Sequence, residues 1–321
     1  MPVSLSRRNC LKSMAAGAAA LLARAAAAPA KEGEMSSKKS GAIDAHVHVW
    51  TSDTKRYPLA PGYENTTPTP ISFTPEELFA HADPCGVHRV NLIQMSFYGF
   101  DNSYMLDSIQ RYPDRFVGTA VVDPYGPDAR EEMLRLADRK CRAFRIHPSL
   151  TARPPEAWLQ PKEMDAMFAV AAKHRLALSC LIDPDALGEL DRMCRKYPEA
   201  PVIVDHLCRI GASDRFPVSD ENVSALVRMA VHRSVYVKIG AFYALGKREP
   251  PYLDLLPMIQ RVVEAFTPQR CMWETDCPFQ VQKHTYEDSL ALIRDRADFL
   301  CASDKEAILR GTCEGLLFGA A

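Results

Sequence analysis

Ile43-Asp44-Ala45-His46-Val47-His48 reads as a β-strand that starts apolar and ends in two histidines two residues apart. Alternate residues of a strand point to the same side. In a barrel, His46 and His48 therefore both project inward at the C-terminal mouth of the first strand. Two imidazoles fixed side by side make half of a metal site.

Working outward from this stretch, short β-branched runs alternate with amphipathic ones, the order that gives parallel strands joined by crossover helices. Eight strands are expected, at Ile43–Val49, Arg89–Met95, Phe116–Val122, Ala143–His147, Leu176–Ile182, Pro201–Asp205, Val235–Ile239 and Cys271–Thr275. Helices are expected near Pro75–His81, Ser103–Arg111, Asp128–Lys140, Met164–Lys173, Pro184–Lys196, Glu221–Val231, Tyr252–Phe266 and Tyr286–Arg296. Eight such units over about 280 residues predict a single (β/α)8 TIM barrel, a fold of ~250 residues. Thr74, then Pro75 and Glu76-Glu77, reads as an N-cap, a proline in the first helical position and acids in the first turn. Asp304 is expected to open a last helix that stops at Gly311. The connection from Trp50 to Phe73 is long and holds Pro58, Pro61, Pro68 and Pro70, which suits a lid over the mouth.

Composition narrows the function. The chain has 321 residues, 47% hydrophobic and 25% charged, enough for a sizeable core. Of 39 basic residues, four (Arg7, Arg8, Lys12 and Arg24) lie in the first 30 with no acid, which leaves 35 against 40 acidic residues, a net charge of −5. A mildly acidic body without a Lys/Arg block lacks the footprint of a nucleic-acid binder. The N-terminal Ser6-Arg7-Arg8-Asn9-Cys10-Leu11-Lys12, the Ala/Leu-rich run Met14–Ala28 and Ala28-Pro29-Ala30 have the layout of a cleavable twin-arginine signal peptide. A membrane anchor fits less well, because the run is about 15 residues against the ~20 of a spanning helix. Residues 1–30 are thus expected to direct export to the periplasm, residues 31–41 to form a disordered lead-in, and residues 42–321 to form the barrel. Outside the signal the nine cysteines are scattered and odd in number, with no CxxC pair. They read as buried thiols rather than disulfides or a thiolate zinc site.

Three segments together resemble the amidohydrolase superfamily, in the branch of carboxy-muconate-semialdehyde decarboxylase-like enzymes and the sugar and pyrone-dicarboxylate lactonases. They are Ile43–His48, Val202-Ile203-Val204-Asp205-His206-Leu207 and Trp273-Glu274-Thr275-Asp276-Cys277-Pro278-Phe279, placed as strands 1, 6 and 8. The resemblance extends from Ile43 to about Phe318. It implies that Asp276 binds metal and takes a proton from the attacking water, and that His206 hydrogen-bonds the substrate carbonyl or that water. An aspartate beside a cation stays ionised, and metal-bound water has a pKa lowered towards 7. His46, His48 and Asp276 are then the ligands of one divalent ion, zinc or manganese. The pattern departs at strand 5, where Leu176–Pro184 contains no histidine and Asp183 stands at its end, either in that histidine's place or capping the next helix. The departure leans towards the lactonases, where the resemblance implies activity without a required metal.

Arg145 and His147 share one face of strand 4, where a guanidinium suits a carboxylate. The resemblance implies that Arg209, three residues after His206, grips an acidic group. An anionic small-molecule substrate is therefore expected, with an ordinary salt bridge as the alternative. Lys238 and Tyr243, at and after strand 7, are further candidates to bind or polarise it, although a solvated strand end reads equally well. His81, His88, His174 and His232 fall away from the mouth, and His284 lies in the loop after strand 8. The expected function is hydrolysis of a lactone, or of an ester or amide, in a small organic acid. A metal-dependent non-oxidative decarboxylase is the alternative, and a catalytically silent binding barrel the third. The signal reading predicts that changing Arg7 and Arg8 together to Lys traps the precursor in the cytoplasm, as read by fractionation. Normal export of the double variant contradicts it.

Overall fold

Eight parallel strands follow one another around a single sheet in chain order: β1 Ile43–Val47, β2 Arg89–Ile93, β3 Phe116–Ala120, β4 Cys141–Ile146, β5 Ala177–Cys180, β6 Val202–Val204, β7 Val235–Ile239 and β8 Cys271–Trp273. The structure is a computed structural model that describes residues 41–147, 159 and 162–319. The signal and nearly all of the lead-in lie outside the described residues. Each expected strand is present: β7 has the expected bounds, β4 begins two residues earlier and ends one earlier, and the others are shorter by up to two residues at an end. The helices between them are α1 Pro75–Ala82, α2 Ser103–Arg111, α3 Ala129–Ala137, α4 Lys162–His174, α5 Leu187–Lys196, α6 Asp220–Arg228 and α7 Leu256–Phe266. After β8 come α8 Phe279–Lys283, α9 Tyr286–Ala291 and α10 Ala302–Glu306.

Local chemistry explains where elements begin. Thr74 caps α1 by accepting from the Glu77 amide at 3.3 Å, while the Glu77 carboxylate accepts from the Thr74 amide at 2.6 Å. The last helix differs from expectation. Asp304 lies inside α10, where its carboxylate accepts from the Cys301 amide at 3.1 Å, and helical winding runs past Gly311 to Phe318. The extra turns carry Cys313 and Leu317 against Ile43, Val117, Ala143, Ala177, Ile203 and Met272, forming one apolar cluster inside the barrel. Each large apolar side chain buried this way contributes ~1.5–3 kcal/mol. A second apolar layer, including Val90, Phe144, Leu178 and Val237, packs between strands and helices. The described cysteines are all free, and seven of the nine are buried.

The connection after β1 is fastened down. Trp50 and Phe73 exchange backbone hydrogen bonds of 2.9 and 3.0 Å, and Trp50 Nε1 donates to Pro70 O at 2.8 Å. Tyr57 OH donates to Asp107 Oδ2 of α2 at 2.7 Å. This corrects the lid expectation: Arg56 and Tyr57 are tied to α2, Ala60 N donates to Phe97 O and Thr69 O accepts from Gln282, and none of residues 51–72 lines the cavity described below.

Closure of the barrel falls to β1 and the segment after β8. Val47 bridges Cys277 in parallel, His48 N donates to Cys277 O at 2.8 Å, and Asp276 N donates to His46 O at 3.0 Å. The buried Asp44 carboxylate secures this seam. It accepts from the amides of His46 and Thr275 at 3.0 and 3.1 Å, Thr275 Oγ1 at 2.5 Å and Tyr286 OH at 2.6 Å. Burial pushes Asp44 up to about 6, opposed by these four donors. An unsatisfied buried donor costs ~1–3 kcal/mol. Asp44→Ala should therefore lower stability by about 3 kcal/mol, or on the order of 10 °C in Tm for a domain of this size. Thermal unfolding within ~2 °C of wild type contradicts this role.

Candidate active site

Towards the C-terminal ends of the strands the barrel interior turns from apolar to polar. The pairing of β1 with β2 is irregular between Asp44 and Val47. Ile43 and Ala45 therefore join the interior cluster, Asp44 meets Tyr286 of α9, and His46 again meets the interior side chains of β7. Bulges of this kind re-aim side chains next to sites. The result puts His46 and His48 together, with their Nε2 atoms 3.3 Å apart. Asp276 Oδ1 lies 3.2 Å from His48 Nε2 and 3.6 Å from His46 Nε2.

Around this centre, Tyr243 OH donates to Asp276 Oδ2 at 2.7 Å. His206 Nδ1 meets Glu274 Oε1 at 2.9 Å. Gly240 makes room for that carboxyl, because a Cβ there would lie 2.5 Å from Glu274 Oε1. Lys238 Nζ contacts Asp205 Oδ1 at 3.0 Å, Ser179 Oγ at 3.2 Å and His46 Nδ1 at 3.2 Å, and Ser179 Oγ donates to Asp205 Oδ1 at 2.7 Å. The backbone carries strain here. His206, Leu207, Cys208 and Arg209 all have φ between 51° and 58°, and Ala241 and Asp276 follow at 53° and 60°. Left-handed conformations cost L-residues ~1–2 kcal/mol each. Fully buried Leu207 and Cys208 hold the turn in the core.

Burial and charge set the protonation states. Burial would raise Asp276, but His206, then His48 and His46, hold it well below the usual carboxylate range. Burial, reinforced by Lys238 and His206, keeps His46 neutral, and burial also lowers His48. Burial opposes a charged His206, yet Glu274 and Asp276 raise it, while burial lifts Glu274 to about 7 against the pull of His206. Asp205 stays well below its ordinary value despite burial because Lys238, His46 and Arg145 surround it.

The centre opens into a cavity of about 850 Å³. Among the described residues, Arg145, Arg209, Arg248 and Lys283 line it against Asp276 and Glu249, so cations outnumber anions there. Arg145 is buried, with no partner for its Nε among the described residues. The Arg209 side chain is 42% exposed and its Nε lies 3.5 Å from Asp183 Oδ1. Asp183 thus pairs with an arginine, and it neither caps the following turn through its side chain nor joins the histidines. His147 lines the cavity and is pushed down to about 3 by burial and Arg145. His284 also reaches it, whereas His81, His88, His174 and His232 do not. Lys238 is fully buried and does not line the cavity, so it is no direct contact for a bound molecule.

Among the described residues, two groups of three buried donor atoms are close enough to share an ion: His46, His48 and Asp276, and His46, His206 and Glu274. In the first, separations of 3.2, 3.3 and 3.6 Å approach the edges of a tetrahedron around an ion, about 3.4 Å for bonds of ~2.1 Å. Spacing therefore suits a divalent ion. The hydrogen bonding of His46 does not, because a ligating histidine normally donates from its other nitrogen, and here that nitrogen faces an ammonium.

Residues 43–318 match the family model described as Amidohydrolase. The chain belongs to this family. The amidohydrolase is 28% identical over 260 residues to a 2-pyrone-4,6-dicarbaxylate hydrolase of Comamonas testosteroni, covering 78% of this chain and 81% of that one. It is 26% identical over 243 residues to an L-fucono-1,5-lactonase of Burkholderia ambifaria, covering 74% and 80%. In fold it is similar to a probable 2-pyrone-4,6-dicarboxylic acid hydrolase from Acinetobacter baumannii crystallised with citric acid bound. That match has a TM-score of 0.69 at 22% identity and covers 87% of this chain and 100% of that one.

Sequence reasoning passed over four members of this amidohydrolase's site. Asp205 and Glu274 stood inside the quoted segments without a role, although each directly follows an interior strand end, where barrel enzymes place functional groups. Ser179 occupies β5, where a histidine was sought. Arg248 gave no local signal, since the loop after β7 alone brings it to the rim.

Proposed function

We propose that this amidohydrolase is a lactonase that opens the ring of a small, anionic organic-acid lactone with an activated water. One observation carries the reading: the buried Asp276 carboxylate, set beside His46 and His48, at the floor of a cavity rich in arginine. Tyr243 occupies Oδ2 of that carboxylate and leaves Oδ1 turned towards the histidines.

The steps follow from the residues in place. Arg145 and Arg209 take the substrate's carboxylate, for which a guanidinium fork is suited. Water beside Asp276 Oδ1 adds to the lactone carbonyl carbon as its proton passes to the carboxylate. The carbonyl electron pair moves onto oxygen, and hydrogen bonds from His206 and Arg145 stabilise the oxyanion. When the carbonyl re-forms, the ring C–O bond breaks, and the departing alkoxide takes the proton back from Asp276. One water is consumed and one hydroxy acid is formed. A carboxylate held so low is a weak base in the empty site, and an anionic substrate beside it raises its pKa towards the working range. His46, with its Nδ1 3.2 Å from the Lys238 ammonium, is not hydrogen-bonded as a metal ligand. The decarboxylase alternative is less well supported, since β5 contributes Ser179, already engaged by Asp205 and Lys238. The N-terminal sequence supports placing this activity in the periplasm.

Asp276→Asn keeps the size of the side chain and removes its basic site. The maximal rate on carboxylated lactones should fall ~10²–10⁴-fold while the thermal midpoint changes little. An active, folded Asp276→Asn enzyme sinks the assignment. Losing a charge-assisted hydrogen bond costs ~1.5–3 kcal/mol, so Arg209→Ala should slow acidic lactones by tens of fold and spare neutral ones. Equal losses on both argue against a carboxylate contact.

A further inference from the structure

A chain of hydrogen bonds crosses the floor of the site, and both of its ends have fixed polarity. At one end stands Lys238, whose ammonium has donors and no acceptor. It lies 3.2 Å from His46 Nδ1. At the other end stands the Ile93 carbonyl, which can only accept, 2.9 Å from His48 Nδ1. Between them the two Nε2 atoms are 3.3 Å apart. One proton arrangement satisfies the three links of this chain, and it leaves His48 Nε2 as an acceptor 3.2 Å from Asp276 Oδ1. Lys238 donates to His46 Nδ1, His46 Nε2–H donates to His48 Nε2, and His48 Nδ1–H donates to Ile93 O. The reverse arrangement of His46 sets its Nδ1–H against an ammonium and brings two lone pairs together at 3.3 Å. Arg145 Nη1, 3.4 Å from His46 Nε2, can donate there only in the other tautomer, and it stands farther from Nε2 than Lys238 does from Nδ1.

The carboxylate that would suit a ligating His46 is also present. Asp205 Oδ1 lies 3.8 Å from His46 Nδ1, but Lys238 stands closer to both and takes that oxygen at 3.0 Å. A metal-bound histidine usually donates its second N–H to such a carboxylate. Here the lysine intercepts it.

The geometry points to Lys238 as a positioning residue that locks His46 in the tautomer protonated on Nε2, so that His46 presents an N–H to His48 and Asp276 in place of a metal-ligating lone pair. The role in turnover rests on the lactonase reading above, but the tautomer does not. It can be measured without substrate. Removing the ammonium frees Asp205 to accept from His46 Nδ1–H, which turns the Nε2 lone pair towards His48 Nε2 and Asp276 Oδ1. Lys238→Met is therefore expected to gain metal affinity.

Two measurements decide this. Nitrogen-15 NMR of histidine-labelled wild type, assigned by the loss of signals in His46→Gln and His48→Gln, should show His46 protonated on Nε2 and His48 on Nδ1. Zinc titration of metal-stripped protein against a chromogenic chelator should show Lys238→Met binding zinc at least ~10-fold more tightly than wild type, since such outer partners change metal affinity 10–100-fold. A wild-type His46 protonated on Nδ1 overturns the inference, as does equal zinc affinity of the two folded proteins. If Lys238→Met fails to fold, the wild-type spectrum alone decides. A wild type with the expected tautomers but no lactone turnover leaves the lock standing and removes only the functional reading.

Discussion

The seam where β1 meets the segment after β8 is the constraint from which the rest of the site follows. A barrel whose first and last strands fail to join has no fixed mouth, and here the join is made by few groups. Two backbone hydrogen bonds link His46 and His48 to Asp276 and Cys277. The Asp44 carboxylate gathers Thr275 and Tyr286 onto the same edge. The interaction that closes the fold is also the one that sets Asp276 within 3.6 Å of both histidines. Stability and chemistry thus share one line of residues. A carboxylate with four donors at the back of β1 lets another carboxylate stand among imidazoles at the front.

Around that seam the protein concentrates what folding alone would avoid. Four consecutive left-handed residues after β6, and one after each of β7 and β8, cost of order 1–2 kcal/mol apiece. A lysine and two carboxyl groups are removed from water beside them. These are tolerable because they compensate one another. Lys238 pairs with Asp205, His206 pairs with Glu274, and the apolar layer below, capped by Cys313 and Leu317, holds the strands in place. Left-handed residues and buried charges at the C-terminal ends of strands mark a site kept for its geometry.

Much of this was legible beforehand, for identifiable reasons. Parallel strands covered by helices are β-branched runs bounded by polar turns, so all eight could be located. The pair His46 and His48 could be assigned to one face by alternation alone. Asp276 and His206 depended on the resemblance, since a single aspartate or histidine after a strand carries no pattern. What alternation could not supply was the irregularity between Asp44 and Val47, which sends Asp44 to the helices although it shares parity with His46. Nor could it tell that Lys238 ends on charges within the wall, away from the cavity: direction along a strand is readable, depth is not. Proline content suggested a lid, but the pairing of Trp50 with Phe73 is a long-range backbone event that composition does not encode.

The central claim is that water is added at a lactone carbonyl on this floor of histidines and Asp276. It is tested most directly by turnover of a carboxylated lactone in water enriched in oxygen-18, with the product read by mass spectrometry. The account predicts one heavy oxygen per product molecule, located in the newly formed carboxyl group and absent from the hydroxyl, with no carbon dioxide released. Label in the hydroxyl oxygen, or carbon dioxide release without incorporation, would contradict it.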